Sequence, residues 1–112
     1  MLDRVAGKLE QYLDLLSARQ KLVTSNIANA DTPGFKTKDI DFQTEFMNAL
    51  AGVAPHTTEV PGLRARNDGN NVSIDREARL LAENDLRFNI ATNLLRAQIR
   101  TVKEAIQEGK GA

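Results

Sequence analysis

Few side chains in this sequence could do chemistry, and each of them stands alone. His56 is the one histidine and lies in Ala54-Pro55-His56-Thr57-Thr58. A catalytic imidazole needs a partner that orients it. No predicted element holds a carboxylate beside His56, so it reads as a solvated loop residue. Asp68-Gly69-Asn70-Asn71 has the composition of a calcium loop. An EF-hand takes oxygen ligands at its first, third and fifth positions, glycine at the sixth and glutamate at the twelfth. Counted from Asp68, the fifth, sixth and twelfth residues are Val72, Ser73 and Arg79, and the segment reads as a turn. Asn71-Val72-Ser73 is formally a glycosylation sequon, a pattern common by chance. Cysteine is absent, which excludes disulfides, thiolate metal centres and a cysteine nucleophile. A single histidine excludes a multi-histidine zinc site. No phosphate-cradling loop or nucleophile elbow is present. The sequence predicts no catalytic residue, no metal site, no cofactor and no small-molecule substrate.

Bulk properties narrow the classes further. The 112 residues allow one domain. Fifteen cations balance fifteen anions, which gives no electrostatic reason to expect nucleic acid or an anionic membrane as partner. The cations of the C-terminal segment are interleaved with anions and read as a solvated face. No apolar run approaches the ~20 residues that span a bilayer. The start, Met1-Leu2-Asp3-Arg4, lacks the basic and apolar regions of a cleaved signal peptide.

The elements that carry these residues separate by texture. All three prolines (Pro33, Pro55, Pro61) lie in the middle of the chain. Residues 1–30 read as one helix: Leu2, Val5, Leu9, Tyr12 and Leu16 recur in a 3-4-3-4 rhythm, and Leu13, Val23 and Ile27 extend the stripe. It should stop at Pro33, where Pro33-Gly34 fits a type II turn. Residues 73–112 read as a second helix, regular from about Asp75 to Gln107, capped by Ser73 or Asp75 and ended by Gly109. There Leu81, Phe88, Leu95 and Val102 repeat at seven, with Asp85, Thr92, Ile99 and Ile106 four residues beyond each. A sustained seven-residue repeat predicts supercoiling against a partner helix. In the connector 31–72, Phe42, Phe46 and Leu50 suggest a short helix over about 41–51 capped by Asp41. Residues 52–72, rich in Gly, Pro, Asn and Thr, are left without structure. The expected fold is all-α: an elongated coiled-coil hairpin of two long terminal helices, joined by a loop-rich, partly disordered connector.

A two-helix hairpin has no enclosed core, and Leu86, Ile90 and Leu94 widen the C-terminal stripe beyond what one partner covers. The surplus apolar surface predicts assembly and a marginal isolated monomer. Periodicity alone also admits an antiparallel homodimer forming a four-helix bundle.

One block is more specific. Asn26 and Asn29 interrupt the apolar stripe, where a buried amide is unfavourable unless paired, and a polar residue in a seam selects one register. Asn26-Ile27-Ala28-Asn29-Ala30-Asp31-Thr32-Pro33-Gly34-Phe35 resembles the signature of the flagellar basal-body rod family, Asn-x-Ala-Asn-x-x-Thr-Pro-Gly-aromatic, without substitution. Asp39-Ile40-Asp41-Phe42 and Leu81-Ala82-Glu83-Asn84-Asp85-Leu86-Arg87-Phe88 resemble stretches of one of its two small proximal-rod subunits, as does the closing Val102-Lys103-Glu104-Ala105-Ile106. The sister subunit's C-terminal Ala-Gln-Arg-x-Tyr-x-Ala-Asn motif is missing. The resemblance covers both terminal segments; residues 52–72 form a connector shorter than the family's usual one.

The resemblance implies one rod (D0-like) domain over 1–112 in a structural, non-enzymatic protein of the bacterial flagellum. Such a subunit self-assembles in the periplasmic proximal rod, the hollow drive shaft that serves motility. The motif residues Asn26, Ala28, Asn29, Thr32, Pro33, Gly34 and Phe35 would form the family turn. Leu9, Leu16, Val23, Ile27, Leu81, Phe88, Leu95, Ile99, Val102 and Ile106 would form the intersubunit seam. Partners would be further copies, other rod proteins, the rod-base adaptor and the membrane-ring and export-gate proteins. Export would run through the type III apparatus without a cleaved signal peptide, with Phe42 and Phe46 fitting the family's Phe-x-x-x-apolar export-gate pattern. The sister subunit, or a soluble helical adaptor or export chaperone, is the alternative reading.

Overall fold

The computed structural model describes residues 2–111, with side chains described over 4–109. Met1 and the side chain of Leu2, the first member of the predicted stripe, lie outside these. Three helices, α1 (Leu2–Ala28), α2 (Phe42–Leu50) and α3 (Ile74–Gly111), are joined by two short strands, β1 (Lys38–Asp39) and β2 (Thr58–Glu59). The molecule is elongated, 71 × 25 × 17 Å.

Each boundary has a local cause. α1 ends as the Asn29 N–H turns back to the Ser25 and Asn26 carbonyls. The chain then reverses in the expected type II turn: Gly34 takes φ +74°, and the Phe35 N–H donates to the Thr32 carbonyl at 3.2 Å. α2 starts at the predicted cap, where the Asp41 carboxylate accepts from the Thr44 N–H. α3 starts at Ser73, whose Oγ accepts from the Arg76 N–H at 3.2 Å. Asp75 and Glu77 in its first turn suit the positive end of the helix. Gly109 does not end α3, which runs on through it to Gly111.

α1 and α3 pair antiparallel around a thin core of Leu15, Leu16, Val23 and Ala91, to which Ile40 and Val72 of the connector are added. The line of α3 that meets α1 is Glu77, Asn84 and Ala91, a seven-residue spacing whose members are all buried. It lies beside the apolar line Leu81, Phe88 and Leu95 that the sequence predicts as the seam. Phe88 stays 44% exposed. The small side chain of Ala91 lets the two backbones approach, while Glu77 and Asn84 find polar partners on α1.

The connector is more ordered than expected. β1 and β2 pair antiparallel, Lys38 with Glu59 and Asp39 with Thr58, and the Val60 N–H donates to the Thr37 carbonyl at 3.0 Å. Residues 66–72 are tied back to the α1 end by backbone and side-chain bonds rather than by apolar burial.

Candidate functional site

Among the described residues no three potential metal ligands are grouped together. Two features concentrate the unusual side chains instead: a polar knot around the motif turn, and exposed apolar rows on the hairpin.

In the knot, Asn26 is buried and its amide bridges two elements. It donates to the Lys38 carbonyl at 2.8 Å and to Glu77 Oε2 at 3.2 Å, and accepts from the Lys38 N–H at 3.1 Å. A strand-like pairing of one side chain with one backbone residue thus fixes β1 against α1 and α3. Asn29 plays a different part. Its amide donates to the Ser25 carbonyl and accepts from the Thr32 hydroxyl, which closes the end of the helix. Asn70, fully buried, donates to the Asn29 and Thr32 carbonyls at 2.9 and 2.8 Å and accepts from the Val72 N–H. Arg66 reaches the Ala30 carbonyl and Lys36 the Gly69 carbonyl. Gly69, at φ +85°, packs so that a Cβ there would lie 3.4 Å from the Gly34 Cα. The two turns therefore fit face to face. Of the motif, Asp31, Thr32, Pro33 and Gly34 stay on the surface, and Phe35 is half-buried.

Beneath the knot lies a charge network. Asp39 of β1 takes a two-pronged contact from Arg19 of α1 at 3.1 Å and a third from Arg76 of α3 at 2.6 Å. Arg76 also meets Glu77 at 2.7 Å. Burial by itself pushes the Asp39 carboxyl up, but the Arg19 fork, the Ile40 N–H and Arg76 outweigh it and hold the group below its ordinary 3.8. Asn84, on the next turns of α3, donates to the Leu16 carbonyl and to Gln20 Oε1. None of Arg19, Asp39, Asn70, Arg76 or Glu77 was legible as a site from spacing, because their partners lie far apart in sequence.

The apolar rows divide the predicted seam. Leu16 and Val23 are 1% exposed and lie in the chain's own core, not on a face open to a neighbour. Leu9, Leu81, Leu95 and Val102 are half-buried at its edges. Phe88, Ile99 and Ile106 are exposed, as is Ile27. On the side of the hairpin that α2 covers, Leu86, Ile90 and Leu94 continue the exposure. There Ile90 and Leu94, with Val5, Leu9, Tyr12 and Phe46, line an open groove of about 380 Å³. Seven large apolar side chains of α3 are 44–61% exposed in all.

Phe42 and Phe46 turn inward onto Tyr12, with ring centroids at 5.2 and 5.7 Å in edge-to-face geometry. Arg87, paired with Glu83, lies over the Phe42 ring. Exposed His56 has a carboxylate that the sequence did not place. Its Nδ1 stands 3.4 Å from the buried Glu45 of α2, which also accepts the His56 backbone N–H at 2.9 Å. That contact fastens the loop to α2.

Comparison with known proteins gives a consistent result. Residues 13–36, which contain the knot's motif, match the family described as flagella basal body rod protein. The chain is 31% identical to the flagellar basal body rod protein FlgB of Yersinia ruckeri over 137 aligned positions, covering 97% of this chain and all of the relative. The same protein of Salmonella typhimurium is 31% identical, with 97% of this chain and 99% of the relative covered. That of Borreliella burgdorferi is 34% identical, with 75% and 82% covered.

Proposed function

This chain belongs to the family of flagellar basal body rod proteins, and from that premise we propose that it is a structural, non-enzymatic subunit of the proximal rod. The observation that carries the reading is the row of large apolar side chains left exposed along α3 in a molecule with so thin a core. Monomeric proteins rarely expose such continuous apolar surface unless a partner covers it. In this reading Phe88, Ile99 and Ile106, with Leu95 and Val102 at their edge, meet neighbouring rod proteins. The knot holds the hairpin in the one shape that presents them. The partners are further copies, other rod subunits, the rod-base adaptor and the membrane-ring proteins. The chain reaches them in the periplasm through the type III export apparatus.

The packing of Phe42 and Phe46 on Tyr12 adds a condition to their export-gate role. The gate reads them before α2 docks, since afterwards both rings face the hairpin. A chain threaded unfolded meets that condition, and a thin core with a marginal monomer suits it.

Electron cryotomography of basal bodies in cells deleted for this gene tests the reading. Membrane rings without a rod are the expected result. Complete flagella would overturn it and return weight to a soluble adaptor.

A further inference from the structure

A notch of about 240 Å³ opens between α1 and α3, lined by Leu16, Ser17, Gln20, Asn84, Asp85 and Phe88. Two polar groups in it lack the partner their chemistry asks for. Asn84 is 3% exposed, and its amide nitrogen is spent on the Leu16 carbonyl and Gln20 Oε1 at 3.4 and 3.3 Å. Its carbonyl oxygen is closed off from solvent and accepts no hydrogen bond. Asp85 is exposed, and no ion pair among the described residues involves it. Three and four residues away on α3 stand Leu81, Ala82, Phe88 and Asn89, so the helix offers this carboxylate no cation of its own. α1 contributes only Ser17 and Gln20 to the polar lining. Asp85 is also the polar member of the row that runs through Leu81, Phe88 and Leu95. A carboxylate covered together with such a row is costly unless a counter-charge arrives with the cover.

We propose that this notch receives an arginine side chain of a partner rod protein, its guanidinium lying on the Phe88 ring and donating to the Asp85 carboxylate and the Asn84 carbonyl oxygen. The inference deepens the rod reading and rests on it. Charge complementarity identifies the occupant: an unpaired carboxylate beside an unpaired carbonyl oxygen calls for a cation that donates more than one hydrogen bond. The Phe88 ring, 44% exposed, narrows the choice. A planar guanidinium stacks on an aromatic face and keeps its fork of donors free, whereas an ammonium is a strongly hydrated point charge. The size of the notch suits one long side chain, with the fully buried Leu16 as its floor for the methylene stem. Reaching the Asn84 oxygen takes a small shift of a lining side chain, and the exposed Ser17 and Phe88 have room to give. Asp85 then selects the partner, since any neighbour without a cation at this place leaves a covered, unpaired charge.

Two measurements on the full-length chain, expressed in cells lacking the native gene, test this. Asp85→Arg reverses the charge at an exposed position, so circular dichroism of the purified chain should match the wild type. The amount of chain in basal-body fractions should fall at least about tenfold and swimming should be lost. In the second, Phe88→p-benzoylphenylalanine is cross-linked by light within purified basal bodies, and the attached peptide is identified by mass spectrometry. The same label at the exposed Ser17 serves if the Phe88 variant does not swim. The expected attachment lies within one helical turn of an arginine. Wild-type swimming of Asp85→Arg would overturn the proposal. So would attachment to a segment without arginine, or no attachment in basal bodies that contain the labelled chain. These results leave the rod reading standing as long as the wild-type chain co-purifies with basal bodies; if it does not, the rod reading fails and this proposal with it.

Discussion

Replacing Asp39 by Asn removes one negative charge from beneath two guanidinium groups and changes little in shape. In the native chain the carboxylate receives the Arg19 fork at 3.1 Å and Arg76 at 2.6 Å, and all three side chains are less than one-fifth exposed. Breaking a buried ion pair by removing one partner costs about 3–5 kcal/mol when the remaining charge is fully enclosed. Arg76 keeps Glu77 at 2.7 Å and both arginines retain some water, so the cost falls below that range and Asp39→Asn should destabilise by about 2–3 kcal/mol at neutral pH. The pH dependence has a definite sign. The Asp39 carboxyl titrates lower in the folded chain than its ordinary 3.8, so the unfolded chain takes up the proton first. Its stabilising contribution is complete above that value and fades as pH falls through the lower, folded one. Urea unfolding of both proteins, followed by far-ultraviolet circular dichroism, measures the difference. An excluded osmolyte keeps the wild type on its folded baseline. The gap should be widest at pH 7 and should narrow steadily below about pH 4. A gap under about 1 kcal/mol at neutral pH, no more than a surface pair is worth, or one that does not narrow in acid, would refute the idea that this network holds the connector to the hairpin.

The other expectations divide core from surface. Leu16→Ala, at a fully buried position between the helices, should cost about 2–4 kcal/mol in the same urea experiment. Asn70→Ala removes two donors and one acceptor to backbone groups and should cost about 2–4 kcal/mol, with faster proteolysis of the connector as a second readout. Gly34→Ala places a side chain at φ +74° and should cost about 1–2 kcal/mol in thermal unfolding, with no change in helix content. Ile99→Asp, at an exposed position, should change monomer stability by no more than about 0.5 kcal/mol yet abolish swimming in soft agar. Full motility in that variant would count against α3 as an assembly surface.

These contrasts follow what the sequence made visible. The three helices, the Asp41 cap and the type II turn at Pro33-Gly34 follow from local periodicity and from residues with strong conformational preferences. The α1–α3 seam was harder to see. Glu77, Asn84 and Ala91 share the seven-residue spacing of Leu81, Phe88 and Leu95, and the more apolar line draws the eye. Burial went to the polar line, where Asn26 stands opposite Glu77 and Gln20 accepts from the Asn84 amide nitrogen. The connector looked unstructured because its composition offers little to bury. Its order comes from side chains such as Asn70 and Asp39 that serve backbone groups and arginines dozens of residues away, a kind of contact that no local pattern announces.

The placement of the asparagines changes what the family signature means. As a sequence, Asn26 and Asn29 look like register markers for a contact between subunits. In the structure both are satisfied within the chain: Asn26 sets β1 against α1 and α3, and Asn29 closes the helix end. A signature used internally in this way marks the fold and says little about the neighbour. On the proposed reading, choice of neighbour falls to exposed residues outside it, such as Phe88, Ile99 and Ile106 on α3. Substitutions in the two sets should therefore fail differently. Asn26→Leu leaves Lys38 and Glu77 without their partner and should unfold the connector in the isolated chain, whereas Ile106→Asp should leave that chain intact and stop only its assembly. Circular dichroism of the purified variants beside basal-body fractionation separates the two failures. An Asn26→Leu chain as stable as wild type would return the motif to the interface.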